Sequence, residues 1–457
     1  MIRVFSHWIH WKTTVQVILD IVFPVACVAL VVMFLGLDGE SDQETLIGCA
    51  AIYALVMVVF NYWLGLYSRT NIQKRTRAIL SIYLSVPIAY SVFTVFSMLD
   101  DTRGPMLLSG LAAFFGTFLH GIYTVYSRRA GGIVTSRVLI FGSGPDARTV
   151  GKMLKRSAPD VHVVGFYPGP SEPEISVPAK SLLSRSSSLS DTAHAQNVNE
   201  IVIAVQERRG GVLPMEDLLN CKLSGIAVFD LASYFERALG QIRLDSLKVG
   251  WLIFGEGFRQ GYWRAFVKRV FDIAAACILL LLTSPVMLAT ALLIVLENGF
   301  PVFYTQERVG FNGRPFKVVK FRSMRRDAES DGKPRWATAN DDRITRVGRV
   351  IRKVRVDELP QLYSVLVGDM SLVGPRPERQ FFVDKLTRDI PFYSVRHSVK
   401  PGVTGWAQVS YSYGDSVEDS IQKLQYDLYY VKNHTLFLDI VILFETIGVV
   451  LTGKGAQ

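Results

Sequence analysis

The chain has 457 residues, 49% of them hydrophobic, with a mean hydropathy of +0.26 and a formal net charge of +10. That length leaves room for two or three domains, and the hydropathy points to a membrane protein. Four scattered cysteines, Cys27, Cys49, Cys221 and Cys277, without CxxC or Cys/His spacing, argue against a disulfide framework and against a zinc site.

Four apolar stretches come first, roughly 17–37, 46–66, 78–98 and 107–126, each close to the ~20 residues that cross a hydrocarbon core. The first starts too late and runs too long for a cleaved signal peptide. Residues 67–77 carry Arg69, Lys74, Arg75 and Arg77, whereas residues 38–45 carry Asp38, Glu40, Asp42 and Glu44 with no lysine or arginine. Cationic loops stay in the cytoplasm, so both ends of this bundle are expected there.

RVLIFG at 137–142 reads as a strand running into the turn GSGPDA and then a helix to Arg156. This is a G-x-G-x-x-A pattern after a strand, but Tyr167, Pro168 and Gly169 stand where a dinucleotide site would place an acid. Strands at 161–166, 200–205 and 225–230 and a helix near 214–222 complete a small βαβ domain, interrupted by a Pro- and Ser-rich loop over 168–192. Nucleotide binding and a structural or regulatory task both fit.

Residues 270–296 are long enough to span, yet Ser284 and Pro285 sit in the middle. Lys268 and Arg269 precede the segment, and Arg308, Arg314, Lys317, Lys320 and Arg322 follow it. Charge at both ends favours a re-entrant helix-break-helix that leaves by the leaflet it entered; a Pro-kinked span is the alternative.

Residues 301–400 hold 21 Lys plus Arg against 12 Asp plus Glu, so nearly all of the net charge lies here. Within RKVRVDELPQL, Arg352 to Leu362, adjacent Asp357 and Glu358 stand among cations, an arrangement suited to a phosphorylated substrate. A plain helix cap is the competing reading. Arg376, held between Pro375 and Pro377, suits bidentate grip on phosphate oxygens. Arg352 is a second phosphate candidate, and Lys320, Arg322 and Arg308 suit either phosphate or anionic lipid headgroups. Asp341 and Asp342 resemble a metal-binding pair but adjoin Arg343 and Arg346. The stretch 436–451, interrupted by Asp439 and Glu445, suits an interfacial or a buried helix. Tyr426, Tyr429 and Tyr430 suit a headgroup boundary or a core.

These pieces, taken with QERVG at 306–310, KVVKFRSM at 317–324, GDMSLVGPRPE at 368–378, KPGVTGWAQV at 400–409 and YDLYYVKN at 426–433, resemble the bacterial sugar transferase family, the polyisoprenyl-phosphate hexose-1-phosphate transferases. The whole chain resembles its large, polytopic branch. The resemblance implies transfer of a sugar-1-phosphate from a UDP-sugar to undecaprenyl phosphate, releasing UMP. It assigns Asp357 as nucleophile and as ligand to Mg2+, with Glu358 assisting the acceptor phosphate or the metal.

The expected fold class is an α-helical membrane bundle (1–130), a Rossmann-like α/β domain (131–250) and a membrane-associated, α-rich catalytic domain (251–457) with a re-entrant helix hairpin at 268–296. The implied location is the bacterial inner membrane, with the catalytic domain facing the cytoplasm. Expected partners are the UDP-sugar, undecaprenyl phosphate and membrane lipids, with no nucleic acid; self-association as a homodimer is an added expectation. Two other classes stay open: a glycosyltransferase that releases UDP and makes a lipid-monophosphate sugar, and a non-catalytic nucleotide-sensing membrane scaffold.

Overall fold

The computed structural model describes residues 2–4, 7–9, 11–35, 40–64, 66, 74–99, 103–127, 136–157, 161–169, 175–185, 187–205, 213–244, 257, 261–325, 343–411 and 416–452. Two compact units emerge. One comprises Met1–Ile2 and Ile9–Tyr234, the other Arg3–Trp8 and Phe235–Gln457. Two short strands, β1 (Ile2–Val4) and β2 (His7–Ile9), pair at the N-terminus.

In the first unit four long helices, α1 (Trp11–Leu35), α2 (Glu40–Trp63), α3 (Lys74–Leu99) and α4 (Arg103–Ser127), cover the four apolar stretches. Val28, Leu46, Tyr53, Met57, Phe93 and Ala113 interlock inside, while Leu30, Met33, Phe34, Leu55, Tyr83 and Leu111 are exposed. Large apolar side chains facing outward from a packed bundle are what a lipid solvent requires. Several interior polar groups find partners within the bundle: Asn61 Nδ2 donates to Asp20 Oδ2 at 3.2 Å, Ser81 donates to Asn61, and the Tyr53 and Thr117 hydroxyls meet at 2.9 Å. Thr14–Phe34 and Gln43–Tyr62 are each long and apolar enough to cross a membrane; the described apolar stretches Ser81–Val95 and Leu108–Leu119 are shorter.

The same unit holds a four-stranded parallel sheet of order β4-β3-β5-β6, built from β3 (Ser136–Phe141), β4 (Val161–Tyr167), β5 (Glu200–Ile203) and β6 (Ala227–Asp230). Its helices are α5 (Pro145–Ser157), α6 (Leu189–Ala195) and α7 (Met215–Leu223). Helix α6 begins inside the segment expected to be a loop. Ser188 caps it by accepting from Asp191 N at 3.0 Å, and Leu189 and Ala193, one turn apart, are buried on one face.

Helix α8 (Leu231–Leu239) leads into the second unit, whose long helix α9 (Tyr262–Asn298) contains Pro285. The helix assignment of α9 runs through Ser284-Pro285, with the proline inside it. The Ser284 hydroxyl donates to Leu281 O at 2.8 Å and that of Thr283 to Leu279 O at 2.7 Å, side-chain bonds that occupy carbonyls around the proline-perturbed turn. By length and composition α9 is a third helix able to cross a membrane.

There follow the antiparallel hairpin β7 (Phe303–Val309) and β8 (Pro315–Phe321), then α10 (Arg346–Lys353), α11 (Gln361–Val367), β9 (Ser371–Val373), α12 (Gln380–Asp389), β10 (Gly402–Thr404), α13 (Trp406–Ser410), α14 (Val417–Asn433) and α15 (Leu436–Thr452). The core joins Leu362, Val365, Met370, Leu372, Leu428, Tyr429, Tyr430, Leu438 and Ile442. Tyr429 and Tyr430 are therefore core residues, and α15 buries Leu438, Asp439 and Ile442.

Residues before α9 also join this core. Ile242 is buried in it, and Trp406 Nε1 donates to Gly240 O at 2.7 Å. Asp439 is buried because it serves α9: Lys268 Nζ donates to its Oδ2 at 2.7 Å and Tyr430 OH to its Oδ1 at 2.7 Å. Asp272 Oδ1 accepts from Leu372 N at 3.3 Å. Two carboxylates and a lysine thus bolt the start of α9 to β9 and α15.

Candidate active site

The two acidic residues lie on a 3-10 turn, Val356–Glu358, one step before α11 and not on that helix's first turn. Arg355, at φ 58°, takes the left-handed conformation that ends α10 and reverses the chain. Helix α10 is itself fixed at its start, where Thr345 Oγ1 accepts from Gly348 N at 2.8 Å and Glu297, from the end of α9, accepts from Arg346 N and Val347 N at 2.8 and 3.0 Å. Pro360, already helical at φ −60°, starts α11.

The neighbouring carboxylates end in opposite electrostatic states. Glu358 Oε1 accepts from Lys320 Nζ at 2.9 Å and from Arg376 Nη2 at 2.8 Å, and its Oε2 lies 3.6 Å from Arg355 Nη1. Burial pushes this carboxyl up, but Arg376, Lys320 and Arg355 together hold it well below the usual carboxylate range. Asp357 has no hydrogen-bond or ion-pair partner among the described residues, although it is equally buried. Burial, and then the Glu358 charge, raise it from 3.8 to about 6, against the opposing pull of Lys320, Arg352 and Arg376.

Of the sequence-predicted residues, the fold therefore gathers Asp357, Glu358, Lys320, Arg376 and, by its charge, Arg352. Arg308 and Arg322 point to other work. Arg308 Nη1 donates to Pro377 O at 3.2 Å and its Nη2 to Gln306 Oε1 at 2.6 Å, bracing the turn that carries Arg376. Arg322 Nη2 donates to Asn298 O at 3.2 Å and to Gly299 O, covering the carbonyl end of α9. Arg355 was visible as a neighbouring cation, but nothing in the sequence said it would turn back on Glu358. Asp341 and Asp342 lie outside the described residues.

Among the described residues no group of three or more His, Cys, Asp or Glu forms a metal cage. A Mg2+ ion that enters with a diphosphate needs only one or two carboxylates, the remaining ligands being phosphate oxygens and water. The unpaired Asp357 carboxylate fits that smaller requirement, whereas Glu358 is already taken by cations.

The Arg376 turn is reached through closely packed backbone. Strands β9 and β10 run parallel, Ser371 opposite Gly402 and Val373 opposite Thr404, and Gly374 N donates to Thr404 O at 2.9 Å. A Cβ on Gly402 would collide with backbone atoms of Gly374 and Thr404. Backbone cannot swing aside as a side chain can, so Gly402→Ala is expected to destabilise the protein by about 2–3 kcal/mol, read as a fall in the thermal unfolding midpoint.

A family model described as bacterial sugar transferase matches residues 263–453. The "Uncharacterized sugar transferase EpsL" of Bacillus subtilis (strain 168) is 44% identical over 191 residues, 42% of this chain and 90% of that protein. The chain belongs to the bacterial sugar transferase family. Two other sugar transferase relatives carry fuller names. The "UDP-N-acetylgalactosamine-undecaprenyl-phosphate N-acetylgalactosaminephosphotransferase" of Aeromonas hydrophila is 48% identical over 240 residues, 52% of this chain and 56% of that protein. The "UDP-glucose:undecaprenyl-phosphate glucose-1-phosphate transferase" of Escherichia coli (strain K12) is 42% identical over 192 residues, 42% of this chain and 41% of that protein. The matches thus span about half the length of these last two bacterial sugar transferases.

Proposed function

We propose that this protein moves a sugar-1-phosphate from a UDP-sugar to undecaprenyl phosphate through an aspartyl phosphosugar on Asp357, releasing UMP. The observation that carries the reading is the contrast within the acidic pair: Glu358 neutralised by Lys320, Arg376 and Arg355, and Asp357 left unpaired beside them. A carboxylate nucleophile must be free to attack, and the phosphoryl oxygens it approaches need cations nearby. In the first step an Asp357 oxygen attacks the sugar-bearing phosphorus, and the bond to the UMP oxygen breaks. In the second an oxygen of undecaprenyl phosphate attacks the same phosphorus, and Asp357 leaves as a carboxylate. The anomeric bond survives both steps.

Glu358, held as it is, is assigned the task of gathering Lys320 and Arg376 where the diphosphate arrives, in place of assisting the acceptor. Mg2+, held by Asp357 with diphosphate oxygens, would supply further neutralisation of the phosphoryl oxygens. The donor class proposed is a UDP-hexose or its N-acetylated amine, since relatives carrying both kinds of name are similar to this chain. Incubating membranes with such donors, Mg2+ and undecaprenyl phosphate tests the reaction: UMP is the expected nucleotide product, and UDP would mean a glycosyltransferase.

For membrane placement we propose a re-entrant α9 with the catalytic unit on the cytoplasmic side. Both ends of α9 attach to the same unit, Arg269 Nη1 and Nη2 to Val365 O and Leu366 O at 2.6 and 2.7 Å, Glu297 to the start of α10. Between residues 277 and 289 no side chain is buried, and Leu281, Leu282 and Leu288 are exposed. A helix anchored at both ends with a bare apolar middle supports dipping into lipid and returning. Pro285→Leu is expected to straighten it, exposing cysteines placed near residue 285 to reagent from the far side of the membrane. Unchanged one-sided labelling would contradict the hairpin. We read the parallel sheet as a Rossmann-like module with a structural or regulatory task; the order β4-β3-β5-β6 and the turn at Gly142 support the kinship.

A further inference from the structure

The backbone carbonyls of the turn that presents Arg376 are held one after another from different parts of the chain. Pro375 O accepts from Gly402 N at 3.0 Å, Pro377 O from Arg308 Nη1 at 3.2 Å, and Glu378 O from Val309 N at 2.8 Å. Between them, Arg376 O accepts from Arg396 Nη2 at 3.0 Å. Arg396 sits on the 3-10 turn Tyr393–Ser398 and is buried, 6% exposed, as is its partner Asp427 on α14, 2% exposed. Its Nε lies 3.0 Å and its Nη2 2.7 Å from Asp427 Oδ2, and its Nη1 donates to Tyr393 OH at 2.9 Å. None of these groups reaches the acidic pair.

We propose that Arg396, fixed by Asp427 and Tyr393, is a positioning residue that sets the backbone of Arg376 from beneath and so aims its guanidinium at Glu358 and the incoming phosphate. Two features separate this from ordinary core pairing. The five N–H donors of a buried guanidinium need more than a carboxylate and a phenol, and here Nη2, which also meets Asp427, donates to the carbonyl of the very residue that grips Glu358. Flanked by two prolines, that residue has little backbone freedom, so a shift of its carbonyl moves its Cα and side chain together.

The inference rests on the phosphosugar-transfer reading, and its test separates the two. Release of UMP by wild-type protein is measured first; no UMP from any UDP-sugar sinks the parent reading. Arg396→Lys keeps the charge but loses the forked reach, and turnover is expected to fall about 10- to 100-fold, as a misplaced group does, with the thermal midpoint recorded alongside. The deciding comparison is made in Arg376→Lys, whose guanidinium is already lost. If Arg396 acts through Arg376, adding Arg396→Lys there lowers turnover by less than about threefold. An equal loss in both backgrounds, or full activity of Arg396→Lys, overturns the inference while leaving the parent reading intact. Should Arg396→Lys fail to fold, Arg396→Met combined with Asp427→Leu removes both buried charges at similar volume, an exchange proteins tolerate, and is put through the same cycle with the same two outcomes.

Discussion

Asp357→Asn is expected to reduce turnover by roughly 10³- to 10⁵-fold, the scale seen when a nucleophile is removed, while leaving the protein at least as stable as before. The second half of that expectation comes from the raised carboxyl. Its value of about 6 in the folded protein exceeds its ordinary 3.8, so the protonated form favours folding. Stability from this group is full below about 3.8 and is lost as pH rises through about 6. The Asn variant carries no such loss, so above pH 6 its thermal midpoint equals or exceeds that of wild type. Turnover by wild type is expected to climb over the same window, as the nucleophile ionises. A variant that unfolds, or a pH profile flat through 6, would count against an unpaired, buried Asp357.

Glu358→Gln is expected to behave in the reverse way. Removing the negative charge leaves Lys320, Arg376 and Arg355 crowded in a half-buried site without their counter-ion. Breaking a buried pair by deleting one partner destabilises by about 3–5 kcal/mol, a figure to be reduced here because the three cations are each about a quarter exposed. The thermal midpoint should fall, and fall further at low salt, where repulsion among the cations is least screened. This carboxyl is depressed, so its stabilisation is present above its ordinary value of 4.5 and is lost as pH falls below it. Two adjacent acids thus give opposite stability changes, and thermal melts of the two variants at pH 7 test that directly. Equal effects would mean that the cations do not discriminate between them.

Much of the site could be read along the chain because its parts are local runs. RKVRVDELPQL carries both acids and two of the cations, and the Pro375-Arg376-Pro377 turn announces a fixed arginine. What could not be read was allegiance. Lys320, Arg322 and Arg308 alternate along one hairpin and look alike in sequence, yet one reaches Glu358, one covers the end of α9 and one braces a turn. Hydrogen-bond geometry across elements decides that, and spacing does not encode it.

Buried charge left a fainter signal. Asp427 within YDLYYV and Asp439 within LFLDIV are acids in apolar surroundings, which demand buried partners. The partners, Arg396 and Lys268, lie 31 and 171 residues away. Composition misled in one place. A Ser-rich stretch concealed the short helix at Leu189, whose cap and two buried side chains suffice. At Pro285 the sequence shows the proline but not that the hydroxyls of Thr283 and Ser284 bond back to carbonyls of the preceding turn.

The most direct test of the phosphosugar on Asp357 withholds the lipid acceptor. Protein mixed with UDP-sugar and Mg2+ but no undecaprenyl phosphate should release a burst of UMP approaching one per chain. The peptide containing Asp357 should gain the mass of a phosphosugar, and Asp357→Asn should show neither change. Nucleotide release that waits for the lipid, or that appears as UDP, would contradict it.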